Sequence, residues 1–165
     1  MRVFFRDKGA VFFSLLSPLI IFLLFFLFLG ASQLTSLKES LPHVDEDKLS
    51  LFLNSWVYAG IVMTTTITTG LAALGVFVAD RESGRFTDFA VSPVPRWKIV
   101  TSYLLATASI ATIITTIVYI AAQVHLIVQG APVPTLELAM QTVGRYLLTA
   151  FSFAALSSLV ITFIK

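Results

Sequence analysis

The chain has 165 residues, of which 57% are hydrophobic and only 12% are charged, and its formal net charge is +2. A water-soluble domain carries about 25% charged residues, so this composition favours a chain whose surface faces lipid. The small net charge excludes the strongly basic surface of a nucleic-acid-binding protein. The absence of cysteine excludes disulfides, thiolate catalysis and cysteine-ligated metal sites.

Four apolar segments are long enough to cross a bilayer as helices. Such a helix needs about 20 apolar residues, because every backbone polar group must be hydrogen-bonded internally. The predicted spans cover residues 10–31, 56–79, 99–128 and 146–164. Pro18 lies inside the first span, and we expect it to kink that helix because proline removes a backbone donor. The predicted fold is therefore an all-α, polytopic integral membrane protein with a single four-helix transmembrane domain.

The distribution of basic residues predicts the orientation, because Lys and Arg are enriched on the cytoplasmic side of membrane spans. The segment 32–55 carries only Lys38 and Lys48 as basic residues, together with several acids. We therefore expect a cytoplasmic N-terminus and segment 80–98, an external loop at 32–55, and a location in the cell membrane. The basic residues assigned to the cytoplasmic side are Arg2, Arg6, Lys8, Arg81, Arg85, Arg96, Lys98 and Lys165.

Polar residues in the second and third spans form a candidate substrate path. Those of the third span share one helical face by their spacing. Such a stripe either joins helices through hydrogen bonds and close packing or lines the path of a solute. Packing is the commoner role, because threonine can also bond its own backbone, so Tyr119 and Gln123 are the stronger path candidates. The full candidate set is Thr65, Thr69, Thr112, Thr116, Tyr119 and Gln123.

Other polar residues receive structural interpretations. If the fourth helix begins near Tyr146, Arg145 lies at its outer end, and we interpret it as an interfacial residue that snorkels toward water rather than as a polar site within the membrane. His125 has no partner in the sequence and is interpreted as a packing or interface residue. The run 43–47, HVDED, is interpreted as a solvated loop rather than a metal site.

Motifs for intrinsic chemistry are missing from the sequence. It contains no G-x-x-x-x-G-K-[ST] loop, so the chain cannot bind ATP in the P-loop manner. Its two histidines do not assemble into a nucleophile–base set. We therefore expect neither an enzyme nor a cofactor in this chain, and transport against a gradient would need energy from another subunit.

The polar segment between the second and third spans predicts a short amphipathic helix on the cytoplasmic surface. From residue 81 onward, Phe86 and Phe89 fall on one apolar side, and the charged residues fall on the other. Ser92 precedes Pro93, and this pair ends the helix because a residue before proline disfavours the helical conformation. A bounded helix of this kind is suited to transmitting force.

Residues 82–99, ESGRFTDFAVSPVPRWKI, resemble the permease subunits of type-2 ABC exporters (ABC-2 type permeases). The motif is an acidic residue, a glycine, an amphipathic stretch and Ser-Pro followed by a basic residue, carried here by Glu82, Gly84, Ser92, Pro93 and Arg96. The opening Phe5-Arg-Asp-Lys8 and the Ser17-Pro18 pair are also similar to the beginning of such permeases.

The resemblance implies a permease that pairs with a second permease subunit, identical or different, and with cytosolic ABC ATPase subunits that bind ATP and Mg²⁺. A coupling helix between the second and third spans would transmit ATP-driven closure, and the substrate would be a hydrophobic or amphipathic molecule such as a drug, an antibiotic or a lipid. The residues implied in ATPase coupling are Arg81, Glu82, Gly84, Arg85, Phe86, Phe89, Ser92, Pro93 and Arg96.

Two expectations qualify this interpretation. Such permeases usually have six helices per half, so four predicted spans lead us to expect a truncated chain that lacks two C-terminal helices. The alternative function is a small four-helix membrane protein with a structural or interaction role and no transport activity, whose basic loop follows only from its orientation.

Overall fold

The computed structural model describes Phe4, residues 6–84 and residues 94–163. Regular structure in these residues is helical throughout, without strands, so the all-α prediction is confirmed for them. The helices are α1 (Lys8–Leu24), a π-helical segment (Phe25–Leu29), α2 (Gly30–Ser40), α3 (Glu46–Glu82), α4 (Arg96–Val128) and α5 (Leu136–Phe163).

Within the described residues, three helical stretches are long and apolar enough to cross a membrane: Val11–Ser40, Glu46–Glu82 and Trp97–Val128. They contain the first three predicted spans, apart from residue 10 of the first. The fourth predicted span, 146–164, lies almost entirely in α5 and ends outside the described residues, so it stays a prediction. The 37 residues of α3 make a rod of about 55 Å, longer than the roughly 30 Å hydrocarbon core of a bilayer.

The surface of α1 is apolar and open. Phe12 and Phe13 are each more than half exposed, as expected of side chains that face lipid rather than water. Pro18 is buried within α1, and the helix continues beyond it to the π-helical segment. The first span is therefore helical through its proline.

The prediction of a loop over 32–55 is wrong, because only the residues between Ser40 and Glu46 lie outside helices. Hydroxyl groups along α2 bond back to the preceding helical turn, as Thr35 Oγ1 does to the Ala31 carbonyl at 2.9 Å. An ion pair between Lys38 and Glu46 joins α2 to the first turn of α3. These local bonds allow a polar sequence to remain helical beyond its apolar part.

Acidic residues at the start of α3 explain its early beginning. Asp45 lies at the N-cap position, and Glu46 and Asp47 occupy the first turn, where negative charge offsets the helix dipole. The predicted span began at Trp56, because only the apolar part of the helix was visible in the hydropathy pattern.

Glycines end both long helices. Gly84 (φ 76°) follows α3 and Gly130 (φ 92°) follows α4, a backbone conformation that residues with a side chain rarely adopt. At the second site the Gly130 and Ala131 amides bond back to the carbonyls of Ile127 and Leu126, which closes the last turn of α4. Helix α4 ends at Val128, the residue at which the third span was predicted to end.

The long helices α3 and α4 form an antiparallel hairpin with one register from end to end. As the residue number of the α3 partner rises, the residue number of the α4 partner falls by nearly the same amount. The hydrogen-bonded pairs are Asn54–Gln129 (2.9 Å), Tyr58–His125 (2.7 Å), Thr66–Thr115 (3.1 Å) and Asp80–Tyr103 (2.7 Å). Helix α5 packs against both α3 and α4, and α1 packs against α3.

Candidate binding cavity at the Gly130 end

We call the half of the bundle nearer Gly130 the Gly130 end, and the half nearer Gly84 the Gly84 end. A cavity of about 470 Å³ opens at the Gly130 end between α3, α4 and α5. Helices α3 and α4 contribute both apolar and polar side chains to its wall, whereas α5 contributes polar and charged ones. The polar and charged side chains that line it are Ser55 and Tyr58 of α3, Tyr119 and Gln123 of α4, and Thr142, Arg145 and Tyr146 of α5.

The location of Arg145 corrects the premise of its sequence interpretation. Helix α5 begins at Leu136 rather than near Tyr146, so Arg145 lies about 14 Å along the helix axis from its first residue. Its side chain lines the cavity, and it forms no hydrogen bond or ion pair with the rest of the described chain. Arg145 is therefore a wall residue of the cavity instead of a residue at the end of the helix.

Tyr146 fixes the neighbouring part of the wall. It is almost fully buried, and its hydroxyl group lies 2.9 Å from Thr116 Oγ1 on α4. The Thr116 hydroxyl also donates to the Thr112 carbonyl at 2.7 Å, so Tyr146 is the donor in the bond between the helices. The Tyr119 and Tyr146 rings lie 6.2 Å apart, and this contact joins α4 and α5 at the cavity wall.

Two bonds between α3 and α4 brace the opposite wall. Tyr58 OH and His125 Nδ1 are 2.7 Å apart with their rings edge to face, and the Asn54 amide donates to Gln129 Oε1 at 2.9 Å. His125 therefore has a polar partner, which the sequence did not reveal. Tyr58 and His125 are far apart in sequence. Their pairing could be predicted only if the register between α3 and α4 were already known.

The structure divides the predicted path residues into two groups. Tyr119 and Gln123, the two residues predicted more strongly to line a solute path, line the cavity. Thr65 and Thr69 have no exposed surface, so a solute cannot touch them in this conformation. Thr112 and Thr116 are partly buried, and their hydroxyl groups bond to the backbone of α4. The threonines thus have the geometry of helix packing.

The predicted coupling residues that the structure describes lie at the Gly84 end. Arg81 and Glu82 belong to the last turn of α3 and Gly84 follows it, so the amphipathic helix does not begin at residue 81 as predicted. Pro95 takes the N-cap position of α4, directly before Arg96. The remaining coupling predictions lie outside the described residues: Arg85, Phe86, Phe89, Ser92 and Pro93.

Comparison of the chain with models of protein families, with curated proteins and with solved structures finds no match. The resemblance to ABC-2 type permeases therefore stays a prediction from the residues at 82–99. In the part of the chain that the structure describes, no group of three or more His, Asp or Glu side chains is placed to hold a metal ion.

Proposed function

We propose that this chain is the membrane-spanning permease subunit of an ABC exporter, which moves a hydrophobic or amphipathic molecule outward with energy from ATP hydrolysed by a separate subunit. The observation that carries the proposal is the cavity at the Gly130 end. A helical protein with only a structural role has no need of a polar-walled space between helices of membrane-spanning length, whereas a permease does.

The proposed orientation follows from the basic residues. Arg81, Arg96 and Lys98 flank the Gly84 end, so this end would face the cytoplasm. The cavity at the Gly130 end would then lie toward the outside, where an exported molecule leaves.

The hairpin of α3 and α4 supplies the mechanical link in this proposal. Both helices run from the segment 85–93 to the cavity, and hydrogen bonds hold them in register along their length. A displacement of their connection by a cytosolic ATPase would therefore move both rods together. The cavity lies between those rods and α5, so its width would respond to that movement.

Co-purification tests the assignment. We expect the tagged full chain, extracted in mild detergent from its native membrane, to retain a P-loop ATPase. A variant with Glu82→Lys and Arg85→Glu, combined with Phe86→Ala and Phe89→Ala, should lose most of that ATPase, because it removes both the charges and the apolar side of the proposed coupling helix. Immunoblotting or mass spectrometry of the eluate measures the ratio of the two proteins.

Glu39→Lys is the matched control, since Glu39 is exposed on α2 far along the chain from the coupling segment. It should leave the ratio of ATPase to permease unchanged. Retention of the ATPase by the fourfold variant would overturn the coupling assignment. Failure of any ATPase to co-purify with the unmodified chain would favour the alternative of a structural or interaction protein.

A further inference from the structure

The cavity at the Gly130 end has one charged side chain, Arg145, on its wall. None of the residues that line it is Asp or Glu. The acidic Glu137 lies two helical turns earlier on α5, where its carboxylate accepts a hydrogen bond from the Gln141 amide at 3.3 Å. The wall is therefore electropositive, with no carboxylate of its own to neutralise the guanidinium.

Three polar groups on this wall keep their hydrogen-bonding capacity. The side chains of Arg145, Tyr119 and Gln123 form no hydrogen bond with any other described residue. By contrast, the hydroxyl groups of Tyr58 and Tyr146, which also line the cavity, are each hydrogen-bonded to a residue of α4. A guanidinium offers five N–H donors, an amide two and a phenol one, so the unused groups are mainly donors.

Apolar side chains also line the wall. Val62 and Met63 of α3 face the cavity from one side, and Ala122 and Leu126 of α4 line it as well. Arg145 is exposed into this open cavity, and its guanidinium can hold an oxyanion through two parallel N–H bonds. The lining thus combines an anion contact with a surface for a hydrocarbon chain.

From this lining we infer that the cavity binds an amphipathic anion, with its phosphate or carboxylate on Arg145 and its hydrocarbon part against Met63 and Leu126. Gln123 and Tyr119 donate hydrogen bonds to the same head group. The identification of this anion as transported substrate rests on the proposed exporter function, whereas the binding site itself does not. The anion is either a free amphiphile or the head group of an anionic membrane lipid.

Equilibrium binding of radiolabelled dodecyl phosphate tests the inference. The full chain is reconstituted in phosphatidylcholine nanodiscs, and binding to empty discs is subtracted. We expect saturable binding, with dodecanol binding much more weakly because it lacks the anionic group. Arg145→Gln should lower the affinity by about tenfold or more, and Gln123→Ala by roughly fivefold. Arg145→Lys should retain part of the affinity, because it keeps the charge but loses the bidentate geometry.

Lys48→Gln is the matched control, because it removes one positive charge from an exposed ion pair with Asp45 (3.0 Å) near the start of α3. It should bind dodecyl phosphate as the unmodified chain does. Thermal unfolding of each variant checks that the fold is retained, which we expect because the Arg145 side chain bonds to no other described residue. Equal affinity of Arg145→Gln and the unmodified chain, or equal binding of dodecanol and dodecyl phosphate, would overturn the inference.

Nanodiscs that also contain phosphatidylglycerol distinguish the two sources of the anion. If phosphatidylglycerol lowers the binding of dodecyl phosphate to the unmodified chain but not to Arg145→Gln, the occupant is a lipid head group. If it does not lower that binding, the occupant is a free amphiphile. The measurement needs no ATPase, so its failure is distinguishable from failure of the co-purification that tests the exporter assignment.

Discussion

Thr66 and Thr69 are both fully buried on α3, but their hydroxyl groups have different environments. Thr66 Oγ1 donates to the Val62 carbonyl at 2.9 Å and lies 3.1 Å from Thr115 Oγ1 on α4, which bridges the two long helices. Thr69 Oγ1 finds no hydrogen-bond partner among the described residues. A buried hydroxyl without a partner loses its hydration and gains nothing in return.

We therefore expect opposite effects from the same substitution at these two positions. Thr66→Val should lower the free energy of unfolding by about 0.6 kcal/mol, the typical size of a hydrogen bond between membrane helices. Thr69→Val should leave it unchanged or raise it, because valine has nearly the same shape without an unpaired polar atom. Unfolding of the purified chain by titration with a denaturing detergent measures both, and equal losses at the two positions would contradict the expectation.

Glycine is required by the backbone conformation at the ends of the long helices but not in the interior of α5. Gly130 has φ of 92°, whereas Gly144 lies inside α5, and the space around both is open to a methyl group. Gly130→Ala should destabilise the chain by about 1–2 kcal/mol because of the backbone conformation alone. Gly144→Ala should stabilise it by up to about 1 kcal/mol, because alanine favours helix.

Thermal or detergent unfolding of these two single variants compares the same chemical change in the two conformations. A loss of stability in both would mean that added volume, rather than backbone conformation, decides the outcome. Gly84→Ala is a second example of the strained case, because Gly84 has φ of 76° and is equally open.

The helices could be predicted from the sequence where hydropathy marks them, and less well where polar residues continue them. The third span was predicted to end at Val128, where α4 ends, because an apolar run gives way there to Gln129 and Gly130. The beginnings of α3 and α5 were placed too late, because their first turns carry acidic side chains that hydropathy interprets as loop. Helix dipole and local hydrogen bonds stabilise those turns, and neither contributes to a hydropathy pattern.

At the scale of the whole molecule, the candidate site could be predicted only in part. Tyr119 and Gln123 were identified because they are polar residues at helical spacing in an apolar span. Arg145 was assigned to the helix end because the start of α5 was misjudged, and Tyr58 was not identified at all. Their meeting at one cavity depends on how three helices pack, and a uniformly apolar pattern does not specify that register.

The orientation of the bundle is a further property of the whole molecule, and the exporter proposal depends on it. The chain contains no cysteine, so single cysteines can be introduced without a background. Ser36 lies on α2, on the side predicted to be external, and Ser83 follows α3 at the Gly84 end; both are exposed. In intact cells, a membrane-impermeant maleimide should label Ser36→Cys, whereas Ser83→Cys should react only after the membrane is permeabilised.

The reverse pattern would place the cavity at the Gly130 end toward the cytoplasm, where it could admit a molecule but not release it outside. Labelling of both cysteines in intact cells would mean that α3 does not cross the membrane, and the hairpin could not then couple a cytosolic ATPase to an external opening.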